Sequence, residues 1–307
     1  MRDITPKPET WREAVAQAFV KLPPEAQALL QEGKVAKGDA LEVARTAGIL
    51  GAKRTWELIP FCHPIPLTNL QITYDFEADG VRLEAKAETI AATGVEMEAL
   101  MAVNLAALTL YDMLKPQVSG IEIRSLRLIS KRGGKSDYRQ ELSPPVKAAV
   151  IVLSDSVAAG KKEDRAGRAV WQALEREPSV EAGEYEILPD DPEKLQAQIR
   201  QLLVQGSDLI ITVGGTGLAG TDRTIEALRP LIEREIPGIM EAARAYGQRR
   251  TLYAMLSRGL AGMIGNSLVL TFPGSTRGAQ ESYQALFPAV LHIFKVLRKI
   301  PHPQGYS

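Results

Sequence analysis

Apolar residues follow two different spacings along the chain, and the change falls near its middle. In the first half, VRLEAKAE (81–88) alternates Val81, Leu83, Ala85 and Ala87 with Arg82, Glu84, Lys86 and Glu88, the period of a half-buried strand. The run LQITYDF (70–76) and the turn EADG (77–80) precede it, so the pair reads as a hairpin. Residues 9–31 read as a helix, and a second helix is expected over about 95–115. A strand through GIEIRSLRLIS (120–130) follows, and its apolar parity slips between Ile123 and Leu126, where a bulge is expected. Hairpin, helix and strand predict an α+β domain of ferredoxin-like type, an antiparallel sheet with helices on one face.

In the second half, strands and helices alternate. AAVIVL (148–153) runs into Ser154, Asp155 and Ser156, with a helix expected from Asp164. LPDD precedes a helix over 192–205, LIITV (209–213) runs into GGTG, and SLVLTF (267–272) runs into PGST. This order predicts an α/β domain, a doubly wound and mostly parallel sheet. Such sheets bind ligands at the carboxyl ends of their strands, where all three polar turns lie. The proline-containing segment RQELSPPVK marks the boundary. The expected organisation is a domain over 1–138, a linker over 139–146, a domain over 147–300 and a tail over 301–307.

Composition narrows the function. Lys+Arg and Asp+Glu both number 37, giving a formal net charge of +0, which argues against nucleic acid or an anionic membrane as a partner. An anionic small molecule must therefore be held by local cations. Cys62 is the single cysteine and the chain has 3 histidines, His63, His292 and His302, so neither a disulfide within the chain nor a thiolate- or histidine-rich metal centre is expected. The opening residues lack an apolar core of signal-peptide type, and the apolar stretch 99–114 is short and interrupted by Asn104 and Asp112. A cytoplasmic location is the expectation.

Polar residues of the first half gather in short segments. These are Lys37 in KGD, Lys53 and Arg54 in AKRTW, and Phe61, Cys62 and His63 in PFCHP. They continue with Glu96, Met97 and Glu98 in TGVEMEAL, Asp112 and Lys115 in YDMLK, and Lys131 and Lys135 in SKRGGKS. Taken singly, Asp112 and Lys115 fit a surface ion pair, Glu96 and Glu98 complement a helix dipole, and His63 fits a packed turn. The fourteen residues from Glu98 to Asp112 span about 21 Å of helix, too far to grip one small ligand within one chain. Either the two ends serve different purposes or a site is completed across a subunit interface.

In this order the segments closely resemble the MoaC family, the cyclic pyranopterin monophosphate synthases of molybdenum cofactor biosynthesis, over almost all of 1–138. The resemblance implies conversion of 3′,8-cyclo-7,8-dihydro-GTP to cyclic pyranopterin monophosphate with release of pyrophosphate, without a cofactor. It implies Asp112, Lys37 and Lys115 as catalytic residues, with Phe61, Cys62, His63, Glu96, Met97 and Glu98 on the substrate. Lys53, Arg54 and Lys131 are candidates to neutralise its triphosphate. A desolvated lysine of lowered pKa would suit the repeated proton transfers. Ala91 and Ala92 precede Thr93 where relatives carry Gly-Lys, which removes one cation.

Two glycine motifs resemble nucleotide-binding loops, and their spacing decides against the first and weakens the second. GGKS (133–136) lacks the glycine a P-loop needs at position 129, where Ile129 stands. Residues 215–220 satisfy G-x-G-x-x-G but follow a late strand of the domain, which leaves a nicotinamide or flavin site as a weak alternative. Backbone N–H groups of Gly214, Gly215, Thr216 and Gly217 can wrap a phosphate, and Asp190 and Asp222 can face it across Mg²⁺. Alone, LPDD reads equally as a helix cap and TDRT as a turn. Together with VLSDS, GGTG, GTDRTIEALRPL, LSRGLAG and FPGST they resemble the MoaB/MogA family of molybdopterin-binding proteins and molybdopterin adenylyltransferases. That resemblance implies catalytic Asp190 and Asp222, Mg²⁺ and ATP, and ligand loops at Ser154, Asp155 and Ser156, at 214–217, and at Pro273, Gly274 and Ser275. A non-catalytic pterin-binding module is the alternative. Both families imply small pterin-related and GTP-derived substrates and a trimeric or hexameric homo-oligomer.

Overall fold

The computed structural model describes residues 1–301; His302 and the rest of the expected tail lie outside the described residues. The chain divides into two compact units between Asp137 and Tyr138.

The first unit opens with strand β1 (Thr10–Lys21), helix α1 (Pro24–Gln31), helix α2 (Ala40–Lys53) and the short helix α3 (Thr55–Leu58). Strands β2 (Asn69–Glu77) and β3 (Gly80–Ala91), helix α4 (Glu96–Leu114) and strand β4 (Glu122–Gly133) complete it. The sheet order is β2-β3-β1-β4, and every neighbouring pair is antiparallel. This is the ferredoxin-like split βαβ arrangement.

The single helix expected over 9–31 is a strand followed by a short helix. Ala14, Ala16, Ala18 and Val20 are each at most 1% exposed and share one face of β1. The period is two, but three of its four inward residues are alanine, the strongest helix former. The small side chains are there because α4 lies against this face with its own Ala99, Ala102, Ala106 and Ala107 buried in the same core. α2 approaches as closely: a Cβ on Gly48 would stand 2.7 Å from the Ala102 carbonyl oxygen. The bulge expected near Ile123 is present, since the register against β1 slips between Ser125 and Ile123, and a second slip falls between Ser130 and Leu128.

Helix α4 extends beyond the apolar stretch seen in the sequence. With 19 residues and mean hydropathy 1.3, it meets the length and composition of a membrane span, but half of it is buried in the unit's core.

The second unit contains β5 (Val146–Leu153), α5 (Asp155–Ala158), α6 (Ala166–Glu175), β6 (Val180–Leu188), α7 (Pro192–Val204) and β7 (Leu209–Val213). It continues with α8 (Thr224–Leu228), β8 (Arg234–Glu235), α9 (Pro237–Gln248), β9 (Ala261–Ile264), β10 (Ser267–Phe272), α10 (Thr276–Leu286) and α11 (His292–Leu297). The sheet order is β6-β5-β7-β10-β9-β8, parallel from β6 to β10 and antiparallel at β9 and β8.

Both faces are covered, which explains the unbroken apolar strands. Ala148, Val150 and Val152 pack with α6, α9, α10 and α11, while Ala149, Ile151 and Leu153 pack with α7 and α8. The helix expected from Asp164 begins at Ala166, and Asp164 lies just before it, accepting the Gly167 and Arg168 amides at 3.0 and 2.9 Å. The segment 139–146 is anchored to this unit: Leu142 is 7% exposed in its core, its amide donates to Ser179 Oγ, and that hydroxyl donates to the Gln140 carbonyl.

Candidate active sites

α4 carries polar clusters at both of its ends. At its C-terminal end Asp112 is held between two lysines. Lys37 Nζ lies 2.7 Å from Asp112 Oδ2 and 2.8 Å from the Asp112 carbonyl oxygen, and Lys115 Nζ lies 2.9 Å from Oδ1. Lys37 comes from the loop before α2, which Asp39 caps by accepting the Glu42 amide at 3.0 Å. Hydrogen bonds from Lys115 and then Lys37 bring the Asp112 carboxyl down to about 2. The same contact raises the Lys115 ammonium above its ordinary value. The expectation of a desolvated lysine with lowered pKa is therefore reversed: Lys115 is exposed, and the Asp112 charge keeps it protonated.

At the other end Glu96 Oε1 pairs with Lys131 Nζ at 3.3 Å. Glu98 is 5% exposed, and burial, with the Glu96 charge adding to it, pushes its carboxyl up to about 7. Burial raises the Cys62 thiol, and the nearby Glu98 carboxylate adds to the effect. Phe61 is 75% exposed and Met97 38%, two large apolar side chains left on the surface beside these groups. Hydrogen bonds from Thr5 lower the Asp3 carboxyl, and His63 contributes a smaller electrostatic part, which places the N-terminal segment near His63. Lys53 and Arg54 end α2 with exposed side chains. The expected residues thus form two groups at opposite ends of one 19-residue helix.

The Glu98 shift has a testable consequence. A carboxyl whose folded pKa is raised binds more protons folded than unfolded, so its contribution to stability falls as pH rises from about 4.5 through 7. Glu98→Gln should gain on wild type at pH 8 by up to about 3 kcal/mol and gain little at pH 5. Urea unfolding of both proteins at the two pH values checks it; equal differences at both pH values would contradict the shift.

In the second unit, loops at the carboxyl ends of β5, β7 and β10 surround a polar pocket of about 490 Å³. Ser154, Asp190, Gly214, Gly215, Asp222, and Gly274 and Thr276 of the PGST turn line it, together with Lys162, Asp164 and Arg165, which the sequence did not single out. Asp191, and not Asp190, caps α7, accepting the Glu193 and Lys194 amides at 2.9 and 3.2 Å. Asp190 instead exchanges hydrogen bonds with Asp155: each carboxylate accepts the other's amide, at 3.0 and 3.2 Å. Burial raises the Asp190 carboxyl, and the Asp155 and Asp222 charges raise it further. Ser154 Oγ lies 3.1 Å from Ser156 Oγ. The glycines are required by geometry: Gly214 and Gly215 have φ of +114° and +62°, and a Cβ on Gly214 would stand 2.2 Å from the Leu153 carbonyl oxygen.

A second cavity, of about 340 Å³, lies beside the first and is mainly apolar, with Met240, Ala243, Gly247, Tyr253 and Ala254 in its walls. The PGST turn is shared: Pro273 and Ser275 line this cavity while Gly274 and Thr276 line the polar pocket. Ser275 also caps α10 by accepting the Gly278 amide at 3.2 Å. Thr216 is buried, and its carbonyl and that of Gly217 accept hydrogen bonds from Arg258 at 3.1 and 2.7 Å.

The MoaC family model matches residues 1–134, and the model described as "Probable molybdopterin binding domain" matches 149–292. A molybdenum cofactor biosynthesis bifunctional protein of Chlorobaculum tepidum is 40% identical over 303 residues, covering 98% of this chain and 96% of its own. The chain belongs to that bifunctional family. Its relative of the same description from Synechococcus elongatus is 38% identical over 315 residues, with 98% of each chain covered. A cyclic pyranopterin monophosphate synthase of Thermomicrobium roseum is 53% identical over 144 residues, 46% of this chain and 87% of its own. Both helix-end clusters fall within the MoaC match, and the polar pocket within the molybdopterin-binding match.

Lys162, Asp164 and Arg165 could have been found from KKEDRAG, a charged run between a strand end and a helix start. Apart from Pro273 and Ser275 of the PGST turn, nothing local in the sequence marks the apolar cavity, whose walls come from segments between 240 and 282.

Proposed function

We propose that the N-terminal unit converts 3′,8-cyclo-7,8-dihydro-GTP to cyclic pyranopterin monophosphate with release of pyrophosphate, and that the C-terminal unit binds molybdopterin and adenylylates it with ATP and Mg²⁺. The observation that carries the first assignment is Asp112 held ionised between Lys37 and Lys115. Opening a purine-derived ring and closing a new one requires protons to be given to ring nitrogens and taken back. Lys115 enters this chemistry as an ammonium and therefore as the donor. After it has given up its proton, the Asp112 carboxylate beside it favours recovering one. Lys53, Arg54 and Lys131 supply positive charge for the triphosphate.

One protomer does not bring both ends of α4 to a single ligand, because the helix separates them by about 20 Å. A second copy supplying the complementary end resolves this, which makes the catalytic unit a homo-oligomer, a trimer or hexamer, with active sites at interfaces. Trp56, Leu58, Phe61, Leu108 and Tyr111 are exposed apolar residues that such packing would cover. Phe61, Cys62, His63, Glu96, Met97 and Glu98 would then meet the ring system at an edge of the Lys115 cluster.

For the C-terminal unit, the polar pocket suits nucleotide phosphates and the neighbouring apolar cavity suits a pterin, with the PGST turn between them. Asp190 and Asp222 fit a cation: their mutual repulsion contributes to raising Asp190, and a divalent ion would relieve it. Among the described residues no group of three or more His, Cys, Asp and Glu is arranged to hold a metal ion. The two carboxylates therefore fit Mg²⁺ arriving with phosphate oxygens that complete its coordination. When bound, the ion would neutralise charge on the phosphates. Lys162 and the N-terminus of α10 add positive potential at the same place, whereas the α6 N-terminus is already taken by Asp164.

Two assays on the purified chain test these assignments. With the cyclo-GTP intermediate, pyrophosphate and cyclic pyranopterin monophosphate should appear together; their absence overturns the first. With molybdopterin and Mg·ATP, an AMP adduct and pyrophosphate should form. Pterin binding without an adduct makes the second unit a binding module.

A further inference from the structure

Arg258 directs four donors at one short stretch of chain. Its backbone N–H donates to the Thr216 carbonyl at 3.1 Å, and Nε donates to the Gly217 carbonyl at 2.7 Å. Nη2 donates to the Asp222 carbonyl, and Nη1 pairs with the Glu226 carboxylate. The guanidinium reaches back 36 residues in sequence to do so, and its side chain is 29% exposed against 53% for Glu226.

Just beyond the loop it grips, buried Thr224 ties the chain to the phosphate-loop backbone, its amide donating to the Gly215 carbonyl at 3.3 Å and its Oγ1 to the Gly214 carbonyl at 3.1 Å. Within the loop, the Asp222 amide donates to the Ala219 carbonyl and the Ala219 amide to Asp222 Oδ2, both at 2.9 Å. Leu218 is 70% exposed, and a Cβ on Gly220 would meet nothing within 4 Å. These two bonds set the shape of the Ala219-to-Asp222 turn. Thr224 anchors only the far end of the loop to the Gly214 and Gly215 backbone, so the placement of the Gly217-to-Asp222 span, which is what the pocket requires of Asp222, needs a further tie.

Arg258 supplies that placement. Its planar fork satisfies carbonyls at both ends of the loop, Gly217 and Asp222, together, which a lysine's single ammonium cannot reproduce with the same geometry. The residue lines neither the polar pocket nor the apolar cavity, so at these sites it acts through the loop.

We infer that Arg258 is the positioning residue of the nucleotide site: it clamps the Thr216-to-Asp222 loop so that the Asp222 carboxylate stays aimed at the bound phosphates. The assignment rests on the polar pocket being the nucleotide site.

The test uses the full-length chain with Arg258→Gln, Arg258→Lys and Glu226→Gln, read by hydrogen exchange and by titration with Mn²⁺ and ATP. In Arg258→Gln, amides in 216–224 should exchange at least about tenfold faster while those of β7 and β10 stay protected. Affinity for Mn·ATP should fall about tenfold in the same variant. Arg258→Lys keeps the charge and one donor group, so it should be intermediate in both readouts; it carries the test if the glutamine variant does not fold. Glu226→Gln removes only the outer tether and should stay within about twofold of wild type. Wild-type exchange in Arg258→Gln overturns the inference, and so does a loosened loop with unchanged Mn·ATP affinity. Failure of the underlying nucleotide reading is distinct from both: there the wild-type chain itself binds no Mn·ATP.

Discussion

Lys115→Ala is expected to lower cyclic pyranopterin monophosphate formation by about three orders of magnitude, the loss typical of removing a positioned general acid. The reason lies in the Asp112 cluster, which keeps Lys115 protonated and so ready to donate. Lys115→Arg separates the two things this lysine supplies. Arginine keeps the positive charge beside Asp112 but does not give up its proton in the working pH range. If Lys115 acts only by neutralising substrate charge, Lys115→Arg retains most of the activity. If it transfers a proton, arginine is nearly as poor as alanine, which is the result expected. Initial rates of product formation for the three proteins, at saturating intermediate, decide between these. An alanine variant within tenfold of wild type would remove Lys115 from the chemistry altogether. Asp112→Asn should act on the same step through pH: with the carboxylate gone, the ammonium of Lys115 loses its stabilising partner and the alkaline limb of the rate profile moves to lower pH.

The sequence made the elements with a strong period legible and left the rest ambiguous for identifiable reasons. β3 could be placed because its apolar and charged residues alternate strictly after a turn, and β7 and β10 because their apolar residues are large and their ends are marked by turns. β1 could not, because alanine occupies Ala14, Ala16 and Ala18, and alanine reports helix propensity as strongly as burial. Only the approach of α4, itself lined with alanine, explains the choice. Candidate site residues show the same division. The family resemblance pointed to Asp112, Lys37 and Lys115, and the fold brought the three into contact. The direction of the Lys115 shift was not available, since it depends on whether the lysine meets a carboxylate or an apolar wall. In LPDD, identity alone does not say which aspartate caps the helix; the hydrogen bonds assign that to Asp191 and leave Asp190 facing the pocket. Arg258 stands in LSRGLAG, but that segment gave no hint of its role, because its partners are mostly backbone carbonyls, which every residue possesses.

The second large effect is expected from Asp222→Ala, which should reduce formation of the adenylylated pterin by about a thousandfold, as loss of a group stabilising transition-state charge does. Asp222 and Asp190 face one pocket, and the charge of Asp222 is one cause of the raised Asp190 carboxyl. Removing Asp222 therefore does two things at once. It deletes one side of the cation site, and it lets Asp190 ionise more readily, which preserves part of the negative potential but not the pairing. The loss should accordingly be only weakly recovered by raising Mg²⁺, whereas a variant that merely weakens cation affinity would be rescued at high concentration. Pterin affinity should change little, because Asp222 does not line the neighbouring apolar cavity. The fused chain supplies its own control: cyclic pyranopterin monophosphate formation by the same preparation should stay at the wild-type rate, showing that the protein is folded and assembled. Asp222→Ala that adenylylates at the wild-type rate would exclude this carboxylate from the reaction and leave the polar pocket without its assigned chemistry.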